Sequence, residues 1–423
     1  MLPRMLRYVS ASTSCALVTV IPFALFALLL SLIAGSASAS AAPTAEASAA
    51  EPGVAADSAS AEPQGGYEWG RGLVFRSGET DLWLGGRAQL RFNSSTTELD
   101  RDRRVTESDI RSMDVERARI KGGGKVIRRW LDLYGEYDLV GSQWLDYRAT
   151  FRIGDWLDLR AGQWKSEFSR ERVNSSGRQQ LVERSIVNYW FTIDRQHGIS
   201  TSARFGAGSR ADVRLWVQAL SGLGINRASE RSKGLLLTRL QWYPDGSEMP
   251  FSGSDVERRK DRVSSVALAY VTGDTRCSRF SSDGCGQLPG LEESDYDLEQ
   301  VMLETALKHR GFSWEQELHY KRLRDERTGA VQRVVGGYAQ LGTFLSEWWS
   351  GAPEPLEVVA RFALVDPDTE QSSDLNEEYT LGLNWFIEGH RNKLSLDLSR
   401  LEAEDAFGEV RETRLRLQWD VSF

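Results

Sequence analysis

Arginine and lysine recur at alternate positions of short segments spread along this chain. Arg87 and Arg91 stand on one segment, Arg117, Arg119 and Lys121 on the next, then Arg148 and Arg152, Arg160, Arg204, Arg214, and finally Arg414 and Arg416. Residues two apart in a β-strand share a face, so each set points one way. A guanidinium stays charged at any relevant pH, and its planar fork matches the oxygens of an oxyanion. The chemistry within reach is therefore non-covalent capture of small anions. Carboxylates on the same side supply a competing reading: Asp132, Glu136, Asp138, Asp146, Asp158 and Asp212, then Glu304, Glu315, Glu317, Glu357, Glu378 and Asp397. On that reading each cation is neutralised by a neighbour and no anion preference results.

A second group of cations lies where alternation stops. The 28 residues from Ser169 to Gln196 carry Arg170, Arg172, Arg178, Arg184 and Arg195 against Glu171, Glu183 and Asp194, with an apolar patch from Val187 to Phe191. A connection this long is functional or disordered. Anchored inward by its patch, it would narrow a passage and bring its cations to the solute. Left outside, it is a surface loop that caps nothing. Other site chemistry is thin. His197, His309, His319 and His390 lie on separate segments without a surrounding motif, so no nucleophile, base and orienting group come together and no enzyme is expected. Cys277 and Cys285 sit among Gly, Ser and Asp, which places them in an external loop. No His lies nearby for zinc, and an oxidising compartment permits a disulfide worth roughly 2–3 kcal/mol for so short a loop.

The elements that position these residues are strands. Leu145, Tyr147, Ala149, Phe151 and Ile153 oppose Asp146, Arg148, Thr150 and Arg152; Tyr379, Leu381, Leu383, Trp385 and Ile387 oppose Glu378, Thr380, Gly382 and Asn384. Sixteen such runs are read near 81–94, 112–125, 130–141, 143–154, 156–168, 197–207, 211–222, 233–245, 261–274, 294–310, 312–324, 333–345, 355–366, 376–389, 392–404 and 409–423. The last alternates strictly and ends in Trp419, Val421 and Phe423, the pattern of an outer-membrane insertion signal read by the barrel-assembly machinery. Connections mostly alternate long and short, as outer-membrane barrels require with both termini in the periplasm. Residues 141–142 break the pattern by being short, and 246–260 by being long.

Composition agrees. Charged residues make up 26%, yet aromatics reach 10% with 14 Trp, and mean hydropathy is −0.40. A helical membrane protein cannot look like this. A barrel can, because only one face of each strand meets lipid and its Trp form interfacial girdles. Residues 1–39 read as a signal peptide: Arg4 and Arg7, an apolar run from Cys15 to Ala34, then Ala37-Ser38-Ala39. Residues 40–66 read as a flexible Ala/Ser/Pro-rich periplasmic segment, and 67–423 as an all-β transmembrane barrel in the outer membrane of a Gram-negative bacterium. Sixteen strands enclose a lumen too wide for side chains to fill, hence a water-filled channel, and rings of Arg and Lys there would favour anions. A net charge of −8 argues against nucleic acid as a partner. No cofactor or metal is expected.

Particular segments resemble a known family. Leu84-Gly85-Gly86-Arg87-Ala88-Gln89-Leu90, Glu116-Arg117-Ala118-Arg119-Ile120, and above all Ala161-Gly162-Gln163-Trp164-Lys165-Ser166-Glu167-Phe168-Ser169 with Val182-Glu183-Arg184-Ser185 resemble the phosphate-selective porin O and P family. Gly336-Gly337-Tyr338-Ala339-Gln340-Leu341-Gly342, the segment from Leu356 to Phe362, and Gly382-Leu383-Asn384-Trp385-Phe386 resemble its later strands. Ser166-Glu167 stands where the family usually has two prolines. The resemblance implies a sixteen-stranded homotrimeric porin with an inward-folded third loop, passing inorganic phosphate or other small anions. A non-selective general porin and a structural or adhesive barrel are the alternatives.

Overall fold

The structure, a computed structural model, describes residues 64–101, 104–126, 130–227, 233–372, 374–405 and 408–423. The signal peptide, and the leader up to residue 63, lie outside the described residues. An N-terminal hairpin, β1 (Gln64–Glu68) and β2 (Gly72–Ser77), precedes the long strands β3 (Thr80–Arg101) and β4 (Arg104–Val126). There follow β5 (Leu131–Asp138), β6 (Gln143–Ile153), β7 (Leu157–Lys165), β8 (Arg195–Phe205), β9 (Asp212–Leu220), β10 (Gly234–Tyr243) and β11 (Val263–Thr275). A small hairpin, β12 (Arg279–Ser281) and β13 (Gly284–Gly286), leads to β14 (Tyr296–His309), β15 (Phe312–Asp325), β16 (Val331–Phe344) and β17 (Leu356–Asp366). The chain closes with β18 (Asn376–Glu388), β19 (Asn392–Asp405) and β20 (Gly408–Ser422).

Strands β3–β11 and β14–β20 form a closed antiparallel barrel of sixteen strands. Closure is the pairing of β20 with β3, from Glu409 opposite Asp100 to Ser422 opposite Arg87. It removes both sheet edges, which lipid could not hydrogen-bond. Alternation sets the faces: on β18, Leu381, Leu383, Trp385 and Ile387 are exposed outward, while Thr380 and Asn384 are buried inward. Trp130, Trp156, Trp242, Trp385 and Trp419 all sit outside near the end where β3 starts and β20 stops, an aromatic girdle. The turns at that end are mostly tight, which marks it as periplasmic. In the tightest, Arg310 and Gly311 both have positive φ (47° and 74°), the left-handed pair that matches strand twist.

Two sequence expectations are corrected and a third is refined. Residues 95–111, read as an external loop, belong to β3 and β4, which run 22 and 23 residues. About 9–11 residues cross a bilayer, so this hairpin projects well beyond the membrane. Ser94 to Thr97 are polar on both faces, which hid the strand. Residues 64–66, read as flexible, belong to β1. Strand β3 starts below the last partner of β20, and β2 fills the bare edge (Leu73 opposite Leu84 to Ser77 opposite Thr80), directly beneath the backbone pair of Gly86 and Phe423. Finally, the Cys277–Cys285 loop follows β11 at the external end as expected, but part of it packs inward. The two cysteines are bonded, and Cys277 and Phe280 are fully buried in a core shared with Trp190 and Phe191.

Candidate constriction site

The loop between β7 and β8 folds into the lumen. It contains two short helices, α1 (Arg170–Val173) and α2 (Ile186–Phe191). Ser169 caps α1, its Oγ accepting from Arg172 N (3.2 Å) and donating to Glu317 (2.8 Å). The anchor is apolar: Val187, Trp190 and Phe191 are buried, and the Phe191 ring stacks on His319 at 4.9 Å. Inward-facing glycines make room for it. A Cβ on Gly342 would lie 2.0 Å from Gln180 Nε2, one on Gly382 2.4 Å from the Leu181 side chain, and one on Gly336 2.8 Å from the Phe191 ring.

The carboxylates of the later strands are the docking surface for this loop. Glu317 accepts from Glu171 N (2.8 Å), Glu378 from Ile186 N (2.8 Å) and Asp397 from Val182 N (3.0 Å). Arg170 is fully buried against Glu315 (3.2 Å) and Glu304 (3.6 Å). Lysines of the same wall bind loop carbonyls: Lys393 donates to Gln179 O, and Lys321 to Trp190 O and to Ser278 O of the cysteine loop. These acids hold mainly backbone N–H groups and a buried guanidinium; of the cations of the opposite wall only Arg416 reaches one of them, Asp397.

That opposite wall is largely neutralised by other groups. Glu183 of the loop pairs with Arg117 and with Arg91 (3.3 Å); burial opposes its ionisation, but those two guanidiniums hold its carboxyl well below the usual range. Arg119 meets Glu136 (2.9 Å), Arg160 meets Glu167, Arg152 meets Asp132 (3.4 Å), Arg414 meets Glu412 (2.6 Å) and Arg416 meets Asp397 (2.7 Å). Arg172 pairs with Asp194, and Arg195 with Asp146 (2.8 Å). Arg87 donates to Ser175 and Ser176 of the loop and lies 3.7 Å from Asp420. Arg148 lies over the Tyr134 ring (4.4 Å) and only 4.0 Å from Asp146. Trp419, Val421 and Phe423 are remote from all of this, on the outer face.

Arg178, Lys121, Lys165 and Arg184, cations of this wall and its loop, make no ion pair among the described residues. Lys121 makes no ion pair or hydrogen bond among the described residues. Lys165, at the end of β7, and Arg184, in the loop, have no carboxylate in ion-pair range either. Both donate to one acceptor, the Asn174 carbonyl, at 3.2 and 2.9 Å. Burial, and next the neighbouring Arg172, push the Arg184 guanidinium down to about 9, the mark of a crowded positive site. Arg184 also lines a cavity of about 300 Å³ with Arg361, Arg414 and Arg416 and with the carboxylates Glu183 and Glu378. Lys165 was missed as a site residue because it falls where alternation breaks down. Its signal was its place at the mouth of the long connection.

A family model described as phosphate-selective porin O and P matches residues 87–411. The chain belongs to that family. The porin is an outer-membrane channel and not an enzyme. Its fold is similar to an anion-selective porin from Comamonas acidovorans (TM-score 0.52, 12% identity, covering 81% of this chain and 100% of that one). It is likewise similar to the outer membrane channel DcaP of Acinetobacter baumannii (TM-score 0.53, 12% identity, 81% and 97% covered). No curated protein matches the porin in sequence.

Proposed function

We propose that the channel favours small anions, inorganic phosphate among them. The observation that carries this is the convergence of Lys165 and Arg184 on one carbonyl with no carboxylate in ion-pair range of either. Two cations so placed repel each other in a partly dehydrated setting, where charge interactions exceed their bulk-water size. An oxyanion between them relieves that repulsion and can accept from both. Lys121 and the half-exposed Arg148 extend the positive surface along β4 and β6. The family's description, and the anion selectivity of the Comamonas porin, support the same reading. Exchanging ions tests it. With anions as carriers, replacing potassium by lithium leaves single-channel conductance nearly unchanged, replacing chloride by a bulky organic anion lowers it, and added phosphate blocks chloride current. The reverse pattern overturns it.

The assembly we propose is a homotrimer in outer-membrane lipid, inserted by the barrel-assembly machinery through its terminal Trp419, Val421 and Phe423. Support comes from a stripe of small residues on the lipid face of β4–β7. There Gly122, Gly135, Ala149 and Ala161 stand in place of large side chains, so that a neighbouring copy can approach closely. Mild-detergent electrophoresis before and after boiling tests it; a single monomeric band under all conditions contradicts the trimer.

A further inference from the structure

The turn 244–262 joins β10 to β11 at the periplasmic end, where most other turns are tight. It does not hang free. Met249 packs in a small core with Tyr243, Val263 and Ala306, and Ser252, Gly253, Ser254 and Asp255 are buried. Its outer part is tied to one side of the mouth by Glu248, which pairs with Arg204 (2.9 Å) and Arg214 (3.0 Å). Its inner part runs along the adjoining wall, β14 and the turn to β15. Lys308, fully buried, donates to Ser252 Oγ (2.6 Å) and Ser254 O (2.9 Å), and Asp255 accepts from Gly311 N (2.9 Å).

On the way it meets the inward loop from below. Gly253 N donates to Arg178 O (2.8 Å), Arg170 donates to Pro250 O, and the Phe251 ring lies under the Arg170 and Arg239 guanidiniums at 5.2 and 5.7 Å. One wall carboxylate joins both segments: Glu357 accepts from Gln180 of the loop and from Ser254 of the turn, each at 2.8 Å. Between the loop and strands β15–β17 the space near Gln180, Tyr338 and Arg361 is about 10 Å³, too small to pass a solute. The burial of the wall is lopsided in the same sense. Gln300, Glu304 and Lys308 are 0% exposed, whereas the Arg148 and Arg160 side chains across the lumen are 29% and 19% exposed.

We propose that residues 248–255 are a second constriction element. It enters from the periplasmic mouth, locks the inward loop against β14–β18, and confines solutes to the side lined by β4–β7. Size exclusion is thus set by two segments acting from opposite ends, with Glu357 as their common hold and Lys308 fixing the turn. The charge preference proposed above is separate, since the turn carries none of Lys121, Lys165 or Arg184.

The test is single-channel conductance and solute size limit of the full-length protein. In one variant residues 248–257 are replaced by a four-residue Gly/Ser turn; a second is Lys308→Met. A third is Gly253→Val, whose Cβ would meet Gln180 at 2.7 Å. Freeing about half of a sixteen-strand lumen should raise conductance roughly twofold in the shortened variant and admit larger sugars, with reversal potential moving only as far as the inward loop undocks. Lys308→Met and Gly253→Val should show intermediate, noisier openings. Should the shortened variant fail to give a heat-modifiable folded band, the two point variants decide. Folded variants that conduct and exclude as the parent does overturn the proposal, and a shifted reversal potential at unchanged conductance does so too.

Discussion

Lys165 and Arg184 donate to the same oxygen, the carbonyl of Asn174, at 3.2 and 2.9 Å, and no carboxylate stands within ion-pair distance of either. One comes from the end of a barrel strand and the other from the loop that crosses the lumen, so the pair exists only while the loop is docked. What holds the loop therefore controls the charge presented to a solute, and this shapes the predictions that follow.

Glu183→Gln should both loosen the loop and strengthen anion preference. The substitution removes charge-assisted bonds to Arg91 and Arg117, worth about 1–2 kcal/mol after allowance for partial exposure, and leaves those two cations sharing one carboxylate, Glu116. A lower denaturant midpoint with a higher anion-to-cation permeability ratio is the expected pair of readings. The pH dependence has a definite sign. The folded-state value of Glu183 lies below its ordinary 4.5, so its stabilisation is present above 4.5 and is lost only as pH falls through that lower value. Conductance noise of the parent should therefore stay flat on acidification to about that ordinary value, while the variant is already noisy at neutral pH.

Gly382→Val should undock the loop from the opposite side. Its Cβ would lie 2.4 Å from the Leu181 side chain, and overpacking of this kind costs about 1–3 kcal/mol. The barrel itself should survive, since β18 gains a strand-favouring residue. Circular dichroism unchanged in the β region, with irregular conductance, is the outcome to look for.

Replacing Cys277 and Cys285 together by Ser should lower stability by about 2–3 kcal/mol. The bonded loop packs on Trp190 and Phe191, so the effect should reach the pore as frequent brief closures or openings. A loop that merely decorated the surface would leave current traces unchanged.

The barrel was legible because lipid on one face and water on the other enforce a period of two from β5 to β20. Its limits were less so: Ser94 to Thr97 are polar on both faces, and Gln64 to Gly66 pair through backbone alone. The candidate site was half legible. The cations could be named, but not their partners, since Arg91 and Glu183 are 92 residues apart and Arg170 and Glu315 are 145 apart. The odd length of 246–260 showed as an irregularity, while its inward course depends on Lys308 and Glu357, which no local pattern announces.

The central claim is that uncompensated cations at the docked loop make this an anion channel. Reversal potential across a planar bilayer in a potassium chloride gradient tests it most directly, with wild type compared to a Lys165→Gln, Arg184→Gln double variant. Wild type should favour chloride, and the double variant should shift towards potassium. The shift should be largest at low salt, where the screening length grows from about 8 Å at 0.15 M to about 30 Å at 0.01 M. A wild-type channel that prefers potassium, or a double variant with unchanged reversal potential, would contradict the account.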